Sequence, residues 1–428
     1  MTTLWCERAW LGGDRVESGV VVVIDGGMIA SVAAGVSNCP SDAVPRAGVT
    51  IPGLLNAHSH VFHRALRART QRGEGSFWTW REQMYELAAR LDPDSLHAIA
   101  RATYGEMVLA GITTVFEFHY VHHDLDGRRY ADPNAMGHAL IEAAAAAGIR
   151  LVVVDACYLS GGIGKPLEGV QRRFGDGTAQ AWAERVDAID VRGAQVAAAI
   201  HSVRAVAPSD MKEVVRWAHE REVPVHAHVS EQPAENVACI DAYGMTPTQL
   251  LHDIGATDGD FVAVHAIHVS HADIALLGGA AACLCPTTER DLADGIAPSG
   301  ALSDAGARIV LGSDSNAVID LFEEARAVEL DTRLATGTRG THSPVQLLGA
   351  AVRDAITAGA PADLVTIGLD SVRMAGAGDD VEAIVFAATA SDVTDVMVGG
   401  REVVRGGSHL SIDVPRELTL AVDGLWSD

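Results

Sequence analysis

The sequence predicts an α/β fold in which a (β/α)8 TIM-like barrel carries a small β domain built from both chain ends. Three observations predict it: eight short apolar runs of strand texture, amphipathic helical stretches between them, and glycine-punctuated β-rich segments confined to residues 1–50 and 360–428. Eight parallel strands are the number that closes such a barrel.

Taken in order, Val20–Ile24, the turn Asp25-Gly26-Gly27 and Met28–Ala33 read as antiparallel strands near the N-terminus. From Ile51 the texture changes to repeated βα units, giving a barrel over residues 51–359. Its strand runs are Gly53–His58, Ile112–Tyr120, Arg150–Tyr158, Gln195–Val203, Val223–Val229, Phe261–His268, Ala280–Pro286 and Arg308–Ser313. Between them, Pro133–Gly148 has proline at its start and glycine at its end around an alanine-rich helix, and Ser209–Glu222 opens with capping residues. After Gly359 the β texture returns in Asp363–Ile367, Ala383–Ala388 and Val396–Val404, the last broken by Gly399-Gly400.

Composition narrows the function. The 428 residues are 48% hydrophobic, enough to bury a large core. Basic residues number 32 against 56 acidic ones, a net charge of −24 that disfavours nucleic acid and anionic membranes as partners. An anionic small molecule would need locally placed arginines. No apolar run reaches the roughly 18 residues of a membrane span, and Glu7 and Arg8 interrupt the N-terminus where a secretory signal would be apolar, so a cytoplasmic location is expected. Six scattered cysteines without a CxxC pair read as reduced thiols, and Cys283-Leu-Cys285 as core packing.

Chemistry gathers at the strand ends. His58 and His60 follow the first barrel strand two residues apart, which puts both imidazoles on one face of an extended chain. Alone this pair is weak evidence. His201, His228, Glu231, His265 and Asp314, however, all follow later apolar runs at their carboxyl side, where barrel enzymes place their sites. Three imidazoles and a carboxylate can hold zinc and leave a position for water, whose pKa such an ion lowers to about 7. The ligand set on this reasoning is His58, His60, His228 and Asp314.

The strings Asn56-Ala-His-Ser-His60, Ser76-Phe-Trp-Thr-Trp-Arg-Glu82, Glu117-Phe-His-Tyr-Val-His-His-Asp-Leu-Asp-Gly127, His201-Ser-Val-Arg-Ala-Val206, His226-Ala-His-Val-Ser-Glu-Gln232 and Gly312-Ser-Asp-Ser315 go further. Over about Ile51 to Leu330 the chain resembles the amidohydrolase superfamily and, within it, the formimidoylglutamate deiminases. The resemblance implies zinc-dependent hydrolysis of N-formimino-L-glutamate to N-formyl-L-glutamate and ammonia in histidine degradation, by a homodimer. It places the zinc ligands on the same four residues. It implies substrate contacts at Tyr120, His201, Arg204 and His265, a proton-transferring role for Glu231, and Arg81 in the site, from this chain or a neighbouring subunit. His265 and Asp314 would hold the attacking hydroxide. No lysine ends the third or fourth strand run, where a two-metal relative carries a carbamylated lysine, so one zinc ion per chain is expected. Two positions depart from the family pattern: His63 stands in place of glutamine and Asn316 in place of histidine. His63 is expected to keep the substrate contact, because a neutral imidazole, like an amide, can both donate and accept. The rival readings are a deaminase of a guanine- or adenosine-like heterocycle and a non-catalytic barrel that binds small anions.

Overall fold

The computed structural model describes residues 1–71 and 74–427, and among these two eight-stranded sheets form. The first begins with β1 (Thr2–Trp10), β2 (Val16–Asp25), β3 (Met28–Ala33) and β4 (Val44–Pro52). The chain then enters the barrel through β5 (Leu54–Ser59), β6 (Ile112–His119), β7 (Arg150–Cys157), β8 (Gln195–Ile200), β9 (Val225–Val229), β10 (Phe261–His265), β11 (Ala281–Leu284) and β12 (Arg308–Leu311). It returns to the first sheet with β13 (Leu364–Ile367), β14 (Val393–Val398), β15 (Arg401–Arg405) and β16 (Ser408–His409).

All neighbouring barrel strands are parallel and follow chain order, as repeated βα units require. The barrel closes where Ser59 bridges Asp314: the Asp314 N–H donates to the His58 carbonyl at 3.0 Å and the His60 N–H to the Asp314 carbonyl at 2.9 Å. Gly312 leads into this seam because a Cβ there would stand 2.8 Å from the His58 carbonyl oxygen and 2.9 Å from Cys285 Sγ. Asn56 and Asn316 complete it. The Asn56 amide donates to Ser313 Oγ and accepts from the Ser313 N–H, and the Asn316 amide donates to the His60 and Asp314 carbonyls while accepting from Ser313 Oγ. Asn316 therefore acts in closure, with its side chain wholly engaged.

In the terminal sheet, β13 runs antiparallel to β4, which joins the two chain ends in one layer. The Gly26-Gly27 turn between β2 and β3 abuts the Gly399-Gly400 turn between β14 and β15, and a Cβ on Gly27 would lie 2.8 Å from the Gly399 carbonyl oxygen. Two segments differ from the sequence expectation. Ala383–Ala388 is not a strand: Val381–Phe386 is a helix, begun by Asp380, whose carboxylate accepts from the Ala383 N–H. The chain also ends in a helix, Val414–Trp426, that packs on the barrel helix Pro93–Leu109 through an Arg101–Glu417 ion pair. Trp426 Nε1 donates to the Ala65 carbonyl at 3.0 Å, which ties the chain end to the short 3-10 turn Val61–Leu66 beside the barrel mouth.

Candidate active site

At the carboxyl ends of the barrel strands one pocket is lined by His60, His63, Arg81, Tyr120, His201, Arg204, His228, Glu231, His265 and Asp314. His58 lies beneath it, fully buried. All the expected site residues thus come together, and Arg81 lines the pocket of its own chain, from the helix Phe77–Ala88. Trp80, from the tryptophan string quoted above, shares the wall with Met84, Tyr85, Tyr158 and Phe174, which sequence did not single out. Backbone at left-handed φ recurs around the mouth at Ser230 (51°), His265 (70°), Ala266 (49°), Asp314 (40°) and Asn316 (55°). Such non-glycine conformations persist only where the surroundings enforce them, and they turn each strand end sharply inward.

His58, His60, His228 and Asp314 bring one ligand atom each within 4.8 Å of one another. Asp314 Oδ1 lies 3.3 Å from His58 Nε2 and 3.5 Å from His60 Nε2, and the Nε2 atoms of His60 and His228 are 3.3 Å apart. Two of the imidazoles are oriented from behind, His60 Nδ1 donating to the Phe118 carbonyl at 2.9 Å and His228 Nδ1 to the His201 carbonyl at 2.8 Å. That fixes the tautomer that leaves Nε2 free to bind. Burial lowers all three imidazole pKa values and keeps the rings neutral. Burial alone would raise Asp314, but its contact with His58 and its electrostatic interaction with the imidazoles of His58, His265 and His60 hold its carboxyl well below the usual range. Among the described residues neither nitrogen of His58 has a hydrogen-bond partner, and a divalent ion bound at Nε2 would engage one of them. The donor set fits a metal.

Among the described residues, two other groups have similar spacing. His119, His122 and Asp155 are close enough to share an ion, but Asp155 already accepts both arms of the buried Arg185 guanidinium, at 2.8 and 2.9 Å, and Trp182 Nε1 at 2.9 Å. A fixed cation thus occupies the place a metal would take. His265, Cys285 and Asp314 form the third group; burial pushes the Cys285 thiol well up, so it stays protonated and packs in the core as expected.

Around this cluster stand several titratable and charged groups. Glu231 follows β9, buried, and burial raises its carboxyl from 4.5 to about 7 against the opposing charges of His265 and Arg204. His265 Nε2 lies 3.7 Å from Glu231 Oε1 and 3.9 Å from Asp314 Oδ2, while Nδ1 meets Glu289 Oε1 at 3.3 Å. Burial would lower the His265 pKa; Glu231, Glu289 and Asp314 overcome it and raise the value well above the ordinary one. Arg204 donates through Nε to Glu235 Oε2 at 2.7 Å, and its Nη2 lies 4.0 Å from Glu231 Oε2. His63, on the 3-10 turn, is not one of the four clustered residues, although its ring centroid lies 4.7 Å from that of His60. Its Nε2 pairs with the Tyr120 hydroxyl at 2.9 Å, its Nδ1 has no partner among the described residues, and burial lowers its pKa to about 3, so the ring is neutral. His201 is likewise neutral, its pKa depressed by burial and by Arg204 and Arg81. Glu235 and Glu289 were missed by sequence; the only signal was a glutamate in the first turn of each helix that follows a strand end.

The profile of the Amidohydrolase family matches residues 49–403. Among curated proteins, the formimidoylglutamate deiminase of Pseudomonas aeruginosa is 35% identical over 96% of each chain. The 8-oxoguanine deaminase of the same organism is 28% identical over 93% of this chain and 92% of its own. Among solved structures, an amidohydrolase from Brucella melitensis superposes over 100% of both chains with a TM-score of 0.91 at 31% identity. An adenosine deaminase from Xanthomonas campestris with bound zinc superposes over 99% of this chain and 97% of its own, with a TM-score of 0.81 at 20% identity.

Proposed function

Because the chain belongs to the amidohydrolase family, we propose that it is a hydrolase that cleaves the imine carbon–nitrogen bond of N-formimino-L-glutamate, giving N-formyl-L-glutamate and ammonia. The observation that carries this reading is the meeting, in one pocket, of a metal-ligating set with two arginines, Arg81 and Arg204. Such a pocket suits a small molecule with a hydrolysable head and two carboxylates. The Pseudomonas relative supports the same substrate.

In this reading His58, His60, His228 and Asp314 hold one zinc ion per chain. The bound ion supplies Lewis acidity and acidifies water. Arg204 uses its two Nη groups on a substrate carboxylate, in the charge-assisted fork that arginine forms with such groups. Arg81 takes the second carboxylate from the lid-like helix. Tyr120, His201 and His63 shape and hydrogen-bond the chain between the two ends. His265 carries a proton on Nδ1 toward Glu289 and turns Nε2 to the attacked carbon, where it orients the incoming oxygen and steadies the charge that develops there. Glu231 takes the proton released as water adds and passes it to the leaving nitrogen, which departs as ammonia. The accessory sheet from residues 1–50 and 360–428, pairing into a homodimer, cytoplasmic residence and a place in histidine degradation belong to the same reading.

A second reading, deamination of a purine-like heterocycle, is favoured by relatives such as the 8-oxoguanine deaminase. Two arginines facing one pocket disfavour it, because a neutral base needs stacking and amide contacts. A coupled ammonia assay across formiminoglutamate, formiminoaspartate, formylglutamate, guanine and adenosine tests both. Release from formiminoglutamate well ahead of the others is expected; turnover of a purine with none of formiminoglutamate overturns the proposal.

A further inference from the structure

Glu235 lies outside the pocket wall, yet it is 1% exposed and both its carboxylate oxygens are in use. Oε2 accepts from Arg204 Nε at 2.7 Å, and Oε1 accepts from the backbone N–H of Ser230 at 2.9 Å. Ser230 is the left-handed residue, at φ 51°, between the ligand His228 and Glu231. One carboxylate therefore spans the arginine that faces the substrate and the corner that aims Glu231. Its own position is set by the helix Pro233–Tyr243, where it stands in the first turn, a favourable place for negative charge.

We propose that Glu235 is a positioning residue that sets substrate specificity by holding Arg204 for the substrate carboxylate; this rests on the function proposed above. With Nε engaged, the guanidinium is anchored edge-on, and among the described residues its two Nη groups make no other hydrogen bond. Its next anion is Glu231, whose Oε2 lies 4.0 Å from Nη2. Without Glu235 the fork turns to pair with Glu231. Substrate then loses its clamp, and Glu231 is held as a paired carboxylate unsuited to accept and return a proton. Glu235 keeps the two roles separate by satisfying Arg204 from the side remote from the reaction.

Glu235→Gln replaces one of the two acceptor oxygens by an NH2 donor, so Arg204 Nε–H and Ser230 N–H can no longer each face an acceptor where they now stand. Glu235→Asp keeps the charge but shortens the reach. The zinc-loaded protein is titrated calorimetrically with N-formyl-L-glutamate, and crystal structures of parent and E235Q are compared. E235Q is expected to weaken binding at least about ten-fold with metal content unchanged and Arg204 turned toward Glu231, and E235D to fall between it and the parent. Adding E235Q to Arg204→Met is expected to weaken binding no further than R204M alone, because Glu235 then has nothing to position. This double variant leaves no unpaired buried arginine, so it decides the question should E235Q fail to fold. Binding by E235Q within two-fold of the parent with Arg204 in place, or losses that multiply in the double variant, would overturn the proposal. If the parent releases no ammonia from formiminoglutamate, the proposed function fails, and the orientation of Arg204 in E235Q crystals still decides the positioning.

Discussion

Glu231→Gln keeps the shape of the side chain and removes its ability to exchange a proton. The carboxyl is buried, and burial raises it from 4.5 to about 7, with His265 and Arg204 opposing the rise. At its ordinary value it would be almost wholly ionised at neutral pH; at about 7 the proton-bearing fraction is larger by roughly two orders of magnitude, so one group can both take and return a proton. Such positioned acid–base groups contribute roughly 10²–10⁴ in rate, which is about 3 to 5 kcal/mol of transition-state stabilisation. The expected result is a kcat lower by at least about a hundredfold, with the metal retained, because Glu231 is not among the four ligands. The pH dependence has a definite sign. Glu231 accepts a proton only when ionised, so parent kcat/KM rises with pH through about 7, and this limb is absent in E231Q. Ammonia release by coupled assay gives the rates and elemental analysis gives the metal. A kcat within a few-fold of the parent, or the same acid limb in E231Q, would refute the role given to this residue.

Three further outcomes follow from the site. His63→Gln should keep much of the activity, whereas His63→Ala should lose at least about 1 kcal/mol, roughly five-fold in kcat/KM, because the unpartnered Nδ1 is free to meet substrate; an alanine variant equal to the parent would remove that contact. Chelation should abolish activity and zinc restore it, with one ion per chain by elemental analysis; two ions per active chain would show that the His119, His122 and Asp155 cluster also binds. Arg185→Met should cost about 3 to 5 kcal/mol in denaturant unfolding at neutral pH, because the buried Asp155 loses both arms of its guanidinium partner and Asp176 keeps only His123 and the more distant Arg129. Burial raises both carboxyls but Arg185 and neighbouring histidines hold them below their ordinary range, so the stability they add is present above that range and is lost as pH falls through the depressed values. A variant as stable as the parent at neutral pH would show the network to be dispensable.

The barrel was legible because each buried parallel strand is a short apolar run, and the polar residues that break its carboxyl end are the ones that face the site. His58, His60, His228 and Asp314 could be found that way since each lies in or just after the carboxyl end of a barrel strand. Ala383–Ala388 misled for the converse reason: a short apolar run looks alike in a strand and in a buried helix, and the cap at Asp380 is what decides. The closing helix Val414–Trp426 carried its start signals, Asp413 and Pro415, within a stretch whose texture suggested more sheet. Glu235 and Glu289 were out of reach, because what they do depends on Arg204 and His265, each more than twenty positions away in the chain. The pairing of Tyr120 with His63 was hidden likewise, since the two residues are far apart in the chain.

The closing seam has a consequence for the order in which the molecule is made. His58 and His60 leave the ribosome early, but the backbone bonds that join β5 to the end of β12 also bring Asp314 to those imidazoles. Until the eighth barrel strand is synthesised and docked, the ligand set is incomplete and zinc has only scattered histidines to grip. Metal capture is therefore a late event that reports a finished barrel. A metal held by this set would bridge the first and last barrel strands, so parting them would release it.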